Sequence, residues 1–336
     1  MIDFEEYPSI FKYLPIECII FFSELKPLEN GKNIPRTIME FYSYYTEKYK
    51  TTETPQPQFI AKICDKICES NQLLAMHKGG FNNLENSYYC LLNDKKFINE
   101  PLLFELKNIN LSCWVYGFKY IYDSYKEYVL PILHIDKKED QSIGSSFLYH
   151  GGILTAKHCI KGAKKIAIQG IDFEQLKQAK FYIHNNESMD LVFIKLPQEI
   201  LNSIYFDSEI SILDEVMALG YPQIPGFHNF LTAEKAAVSA RFTSTTGQVS
   251  SIAEDIWMRE KLILITAKIR GGNSGGPIIN NKGMVVGVAS NIPTGEGKYD
   301  DLGYGTVIPI KFAKDIINSL STELNINDIE FINFIE

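Results

Sequence analysis

The chain is 336 residues long, room enough for two ordinary domains, and its 45% hydrophobic residues can fill two cores. A formal charge of −8 argues against a general nucleic-acid binder, which carries a basic surplus. No run of about 18 apolar residues occurs, and the acidic start Met1-Ile-Asp-Phe-Glu-Glu is unlike a secretory signal, so no membrane span and a cytoplasmic location are expected.

Residues 1–127 read as a mostly helical α+β domain. Ile34 to Tyr45 places apolar and aromatic groups at helical intervals. Phe59, Ile60, Ile63 and Ile67 define a second amphipathic helix, started by the Pro55 and Pro57 punctuation. Leu73-Leu-Ala-Met, a Gly79-Gly80 turn and Ser87-Tyr-Tyr-Cys-Leu-Leu92 read as a β-hairpin. Helix followed by hairpin resembles a winged-helix module, although a small α+β domain with no DNA role fits the acidic balance better. Asn110 through Tyr128 reads as a further helix linking the two domains.

From Val129 onward the pattern changes to short β runs separated by turns. They fall near 145–149, 153–156, 165–169, 180–184 and 190–196 in the first half. In the second half they fall near 215–219, 231–242, 261–269, 277–280, 284–290 and 304–309. Regularly spaced short strands predict barrels or a sandwich. Lys311 to Leu320, with Phe312, Ile316, Ile317 and Leu320 on one side, reads as a closing helix, and 321–336 as a tail.

The cysteines point away from metal and from disulfides. Cys64 and Cys68 lack the matching second pair of a zinc motif and read as one helix face. No metal site and no cofactor is expected.

Chemistry concentrates in three segments of residues 128–320. Gly271-Gly-Asn-Ser274-Gly-Gly-Pro277 flanks a serine with paired glycines between β runs. Such a loop turns tightly, presents the hydroxyl and sets free N–H groups beside it, as acyl transfer to a serine requires. A glycine-rich hairpin with an incidental serine would look the same locally. Of six histidines, His158 stands out because it ends the apolar strand Gly151-Gly-Ile-Leu-Thr-Ala-Lys-His158. Asp190 opens the β run Asp190-Leu-Val-Phe-Ile-Lys-Leu196, where it can be desolvated against an imidazole.

The order of Thr155-Ala-Lys-His158-Cys159, Asp190-Leu-Val-Phe and Gly272-Asn-Ser274-Gly-Gly-Pro resembles the trypsin/chymotrypsin-fold serine peptidases, in the compact bacterial form similar to HtrA/Deg. Ala218-Leu-Gly-Tyr-Pro222, Met284 to Ser290 and Tyr304-Gly-Thr-Val-Ile-Pro309 agree with it. The resemblance implies two β-barrels and a catalytic triad of His158, Asp190 and Ser274. It also implies an oxyanion hole from the N–H groups of Gly272 and Ser274. Ser290 matches the position that supports the triad aspartate, and is otherwise an ordinary strand-end serine. Because family members bridge the cysteine beside the histidine to one on the preceding strand, which is absent here, Cys159 is expected as a reduced, packed thiol. The chain ends soon after the closing helix, so no peptide-binding PDZ module is expected.

The resemblance further places Lys268, Ile269 and Arg270 along one wall of the substrate pocket, and Ser290, Asn291 and Ile292 along another. Ile292 stands where pockets for large side chains keep glycine, which favours small aliphatic substrates. Lys268 would instead receive an acidic side chain if it pointed inward, and faces solvent otherwise. Asn273 replaces the aspartate that pairs with a new N-terminus in activated digestive enzymes, so activation by cleavage is not expected.

The expected function is therefore a serine endopeptidase acting on protein or peptide, regulated or joined to an activating partner through residues 1–127. Two alternatives come from other classes. One is a catalytically silent protease-fold binding module; the other is a DNA-binding regulator acting through the winged-helix-like segment.

Overall fold

The computed structural model describes residues 3–27, 33–50, 53–76, 87–90, 98–224, 229–233, 236–256, 258–290 and 304–334. These residues fall into two compact units, 1–121 and 122–336.

In the first unit, helix α1 (Tyr7–Ile10) precedes α2 (Leu14–Phe22), an almost wholly buried apolar helix. Strands β1 (Lys26–Pro27) and β2 (Asn33–Ile34) pair with each other, and β3 (Arg36–Thr37) runs into α3 (Ile38–Tyr49). The helix expected from Ile34 therefore starts at Ile38 instead. Thr37 sets that start: its backbone is extended, its hydroxyl accepts from the Glu40 N–H, and the Glu40 carboxylate accepts from the Thr37 N–H at 2.9 Å. This reciprocal cap satisfies two otherwise orphaned donors. Helix α4 (Pro57–Glu69) begins on Pro57, where a missing N–H costs nothing, and buries Ile60, Ile63, Cys64 and Ile67 on one stripe.

Strands β4 (Leu73–Met76) and β5 (Ser87–Cys90) pair antiparallel, and β5 also takes β3, giving the sheet order β3–β5–β4. Helix, strand, two helices and a hairpin make a winged-helix-like arrangement; the Gly79-Gly80 turn and Leu91-Leu92 lie outside the described residues. The core is aromatic, with Tyr7, Phe22, Phe41 and Tyr88 fully buried. The expectation of one helix over 110–128 is corrected. Helix α5 (Pro101–Tyr116) starts earlier, behind a proline, and stops at Gly117 with φ +71 before α6 (Phe118–Tyr125).

The second unit is built from β strands. Strands β6 (Val129–Asp136), β7 (Gln141–Tyr149), β8 (Gly152–Thr155) and β9 (Ala163–Ile168) are followed by the short helix α7 (Phe173–Gln178), β10 (Lys180–His184) and β11 (Val192–Lys195). Then come β12 (Glu215–Gly220), β13 (Asn229–Ala233), β14 (Ala236–Ala240), β15 (Thr243–Glu254), β16 (Lys261–Ile265), β17 (Pro277–Asn280), β18 (Val285–Ala289) and β19 (Gly305–Pro309). Helix α8 (Lys311–Ile317), β20 (Ser321–Glu323) and β21 (Glu330–Phe331) complete the unit.

Strands β12, β15, β16, β19, β18 and β17 close into a barrel in that order. The first-half strands form an eight-stranded sheet, β20–β10–β11–β8–β7–β6–β9–β21, whose two outer members come from residues 321–336. That segment, expected as a tail, thus borders the first sheet on both sides. Phe331 is buried in the same core as Phe181, with the rings stacked at 5.7 Å.

Three further expectations are corrected in this unit. The run at 231–242 folds as the antiparallel pair β13–β14 instead of one strand. Strand β15, whose Thr-Ser-Thr-Thr-Gly-Gln start is not among the expected β runs, is a half-solvated strand whose first residues alternate in exposure. Helix α8 ends at Ile317, and Ser319 with φ +83 turns the chain, leaving Leu320 52% exposed instead of packed with Phe312 and Ile316.

Candidate active site

His158 sits in a 3-10 turn, Lys157–Cys159, just past the end of β8. Asp190 lies just ahead of β11, and β8 and β11 pair antiparallel with Thr155 opposite Val192. That register carries the two side chains to the same end of the sheet. Buried Met189 and Leu191 anchor Asp190 on either side.

Asp190 then binds His158 twice. Its Oδ2 accepts from the ring Nδ1 at 2.7 Å, and its Oδ1 accepts from the His158 backbone N–H at 2.9 Å. A carboxylate only accepts, so the proton on the ring is held at Nδ1. Partial desolvation of the ring works against its protonation, but Asp190, together with Cys159, outweighs it and raises the imidazole from 6.5 to about 10. Ser290, directly after β18, donates its hydroxyl to Asp190 Oδ2 at 2.8 Å. The carboxylate is therefore engaged by the first sheet and by the second barrel.

Ser274 lies in the loop between β16 and β17 and is only 4% exposed. Its carbonyl accepts from the Ser145 N–H at 2.8 Å and lies 3.6 Å from the Cys159 Sγ, next to His158 in sequence. Cys159 is a free, buried thiol. Gly275, with φ +87, fits where a Cβ would stand 2.1 Å from the Ser145 carbonyl oxygen. Its N–H donates to the Ala289 carbonyl at 2.7 Å, lacing the loop to the strand that ends at Ser290.

The stretch before the serine is a tight turn. The Asn273 N–H donates to the Arg270 carbonyl at 2.9 Å, and Gly272 at the third position has φ +99. Positive φ there makes it a type II turn, in which the central peptide is rotated roughly a half turn from its type I orientation. The Gly271 carbonyl accepts from the Gln223 N–H at 3.0 Å, and the Gly272 carbonyl from the Ser145 hydroxyl at 2.7 Å. Both carbonyls flanking the Gly272 N–H are thus turned into the protein. Among the described residues that N–H has no acceptor.

The pocket residues are placed unevenly. Lys268 and Arg270 are exposed, while Ile269 is 9% exposed and packs in the barrel core against Gly305. The Lys268 carbonyl accepts from the Thr245 hydroxyl at 2.9 Å and from Asn273 Nδ2 at 3.4 Å. Asn291 and Ile292 lie outside the described residues. Sequence reasoning missed Ser145, Tyr221 and Gln223, since nothing in a β run or a Tyr-Pro turn signals which distant loop it will hold. Among the described residues, no cluster of His, Cys, Asp or Glu is arranged to hold a metal ion.

A closed barrel beside a sheet of matching strands, with the histidine and aspartate carried by one and the serine loop by the other, defines a trypsin-like peptidase domain. The model of that domain family matches residues 144–288. The second unit resembles DegP-like proteins in sequence. It is similar to two proteins named probable periplasmic serine endoprotease DegP-like. The one from Hahella chejuensis is 33% identical over 187 residues, covering 54% of this chain and 36% of the relative. The one from Pseudomonas putida strain F1 is 31% identical over 191 residues, covering 56% and 36%. The chain therefore spans little more than a third of the length of these relatives. A solved protease from M. tuberculosis in its active form aligns with TM-score 0.45 and 18% identity over 60% of this chain and 83% of its own. No helix among the described residues is long and apolar enough to cross a membrane.

Proposed function

We propose that this protein is a serine endopeptidase that works through Asp190, His158 and Ser274. The observation that carries the reading is the double grip of Asp190 on His158, which leaves Nε2 as the ring nitrogen able to exchange a proton. The Ser274 hydroxyl attacks the scissile carbonyl while His158 takes its proton. The imidazolium, stabilised by Asp190, returns that proton to the leaving amine, and an ester to Ser274 remains. Water, deprotonated by the same imidazole, then releases the acid. The Gly272 and Ser274 N–H groups receive the oxyanion, a role that the type II turn supports.

Lys268 and Arg270, both exposed, line the substrate cleft in this reading, and the preference is for small aliphatic side chains. Asn273, already bonded to the Lys268 carbonyl, holds the loop without an ion pair, which supports activity without N-terminal cleavage. Residues 1–127 act as a regulatory or partner-binding domain. A partner protein is favoured over DNA because the exposed face of α4 carries Asp65 and Glu69 as well as Lys62 and Lys66. The five free cysteines among the described residues support a reducing, cytoplasmic location.

The test is labelling with a fluorophosphonate probe. The natural chain is expected to label and Ser274→Ala to remain unlabelled. An unlabelled natural chain, with and without candidate partners, would remove the peptidase reading.

A further inference from the structure

Ser145 is fully buried in β7, yet every polar atom it owns is engaged. Its N–H donates to the Ser274 carbonyl at 2.8 Å, and its carbonyl accepts from the Thr155 hydroxyl at 2.7 Å. Its hydroxyl donates to the Gly272 carbonyl at 2.7 Å and accepts from the Tyr221 N–H at 2.8 Å. One residue of the first sheet therefore holds both neighbours of Asn273 in the nucleophile loop, Ser274 by its backbone N–H and Gly272 by its hydroxyl, and its hydroxyl also meets the residue just past β12. Gly220 keeps that space open: a Cβ there would stand 2.8 Å from the Ser145 Oγ.

The consequence follows from how a turn chooses its type. In a four-residue turn the central peptide flips between type I and type II at little cost when glycine holds the third position. Here Gly271 and Gly272 occupy both central positions, so the loop itself resists the flip weakly. What resists it is one hydrogen bond on the central peptide itself, at the Gly271 carbonyl, and one on the peptide that follows, at the Gly272 carbonyl, which fixes the far side of the residue about which the central peptide turns. The Gln223 N–H fixes the Gly271 carbonyl, and the Ser145 hydroxyl fixes the Gly272 carbonyl. The Tyr221 N–H, bonded to the same hydroxyl, orients it so that its own hydrogen points to Gly272. A buried carbonyl and a half-buried N–H would both lose their partner if that hydroxyl were removed.

We infer that the Ser145 hydroxyl is a positioning residue for the reaction, holding the Gly272 N–H toward the oxyanion. This rests on the peptidase reading above. Ser145 touches neither substrate nor the imidazole. It acts through the turn, so its removal should slow the chemical step while leaving initial binding and the His158–Asp190 pair undisturbed.

The experiment compares the natural chain with Ser145→Ala in fluorophosphonate labelling over a range of probe concentrations and pH. The maximal labelling rate is expected to fall about 10- to 100-fold. The probe concentration for half-maximal rate and the pH midpoint are expected to stay unchanged. A rate within twofold of the natural chain would overturn the inference, as would a joint shift of rate, half-maximal concentration and pH midpoint, the mark of general loosening. Should Ser145→Ala fail to fold, Ser145→Cys keeps the shape with a weaker donor and is judged by the same criteria. A natural chain that does not label at all sinks the peptidase reading and this inference with it; a labelled natural chain with an unaffected Ser145→Ala sinks this inference alone.

Discussion

Ser290 and His158 share one oxygen: both donate to Asp190 Oδ2, at 2.8 and 2.7 Å. The serine follows a strand of the second barrel and the histidine a strand of the first sheet, so the carboxylate is held where the two meet. Ser290→Ala should remove a charge-assisted hydrogen bond of about 1.5–3 kcal/mol. If that bond orients the carboxylate, fluorophosphonate labelling slows about 10- to 100-fold. A labelling time course with both proteins checks this.

The raised imidazole gives a pH dependence with a defined sign. Labelling needs the neutral ring, so its rate should climb from neutral pH toward a midpoint near the folded value of about 10. In Asp190→Asn the hydrogen bond and charge of the aspartate are lost while desolvation of the ring remains, so the midpoint should move to lower pH. Stability follows the opposite course. Because the folded value lies above the ordinary one, the imidazolium–carboxylate pair stabilises the fold fully near pH 6.5 and ceases to do so as pH rises through about 10. The difference in melting temperature between the natural chain and Asp190→Asn should shrink over that window.

Gly272→Ala tests the turn directly. A Cβ would stand 2.3 Å from the Tyr221 carbonyl oxygen, on a backbone with φ +99. The turn should leave the type II conformation and the donor should turn away. Losing one oxyanion donor corresponds to about 2.7–4 kcal/mol of barrier. Labelling should drop accordingly, with circular dichroism unchanged.

Phe331→Ala should destabilise the second unit by about 3–5 kcal/mol, as for other buried aromatics. Phe331 is 7% exposed, stacks on Phe181, and ends the strand that pairs in parallel with β9. Thermal unfolding followed by near-ultraviolet circular dichroism reads it.

In the first unit, Glu17 is 4% exposed and accepts from Lys48 at 2.8 Å and from the Tyr49 hydroxyl at 2.7 Å. Glu17→Gln should cost about 1–3 kcal/mol, because Lys48 and the Tyr49 hydroxyl lose a buried, ionised acceptor. Urea unfolding of the whole chain, followed through that unit, checks it.

Much of this molecule was legible along the chain. The amphipathic stripe of α4 has a period that only a helix satisfies, and short runs of β-branched residues between turns have a period that suits strands. Local composition therefore marked the passage from helical to β structure near Val129. It also marked the Gly-rich serine loop, since glycine adopts the positive φ found at Gly272 and Gly275 at the least steric cost. Where local chemistry was neutral or misleading, the reading failed. The Thr- and Ser-rich start of β15 resembles a loop because its side chains face water, yet its backbone is claimed by β12 and β16.

Residue types and their order determined the fold class and named His158, Asp190 and Ser274 as candidates. Only the tertiary structure decided that Asp190 grips His158 at two atoms, that Ser290 reaches across to it, and that a buried serine of β7 holds the oxyanion turn. It also decided that 321–336 returns to both edges of the first sheet. The physical reason is common to all four. A hydrogen bond between residues distant in sequence leaves no periodicity in either segment, and a hydroxyl in a strand looks the same whether it meets water or a carbonyl of another barrel.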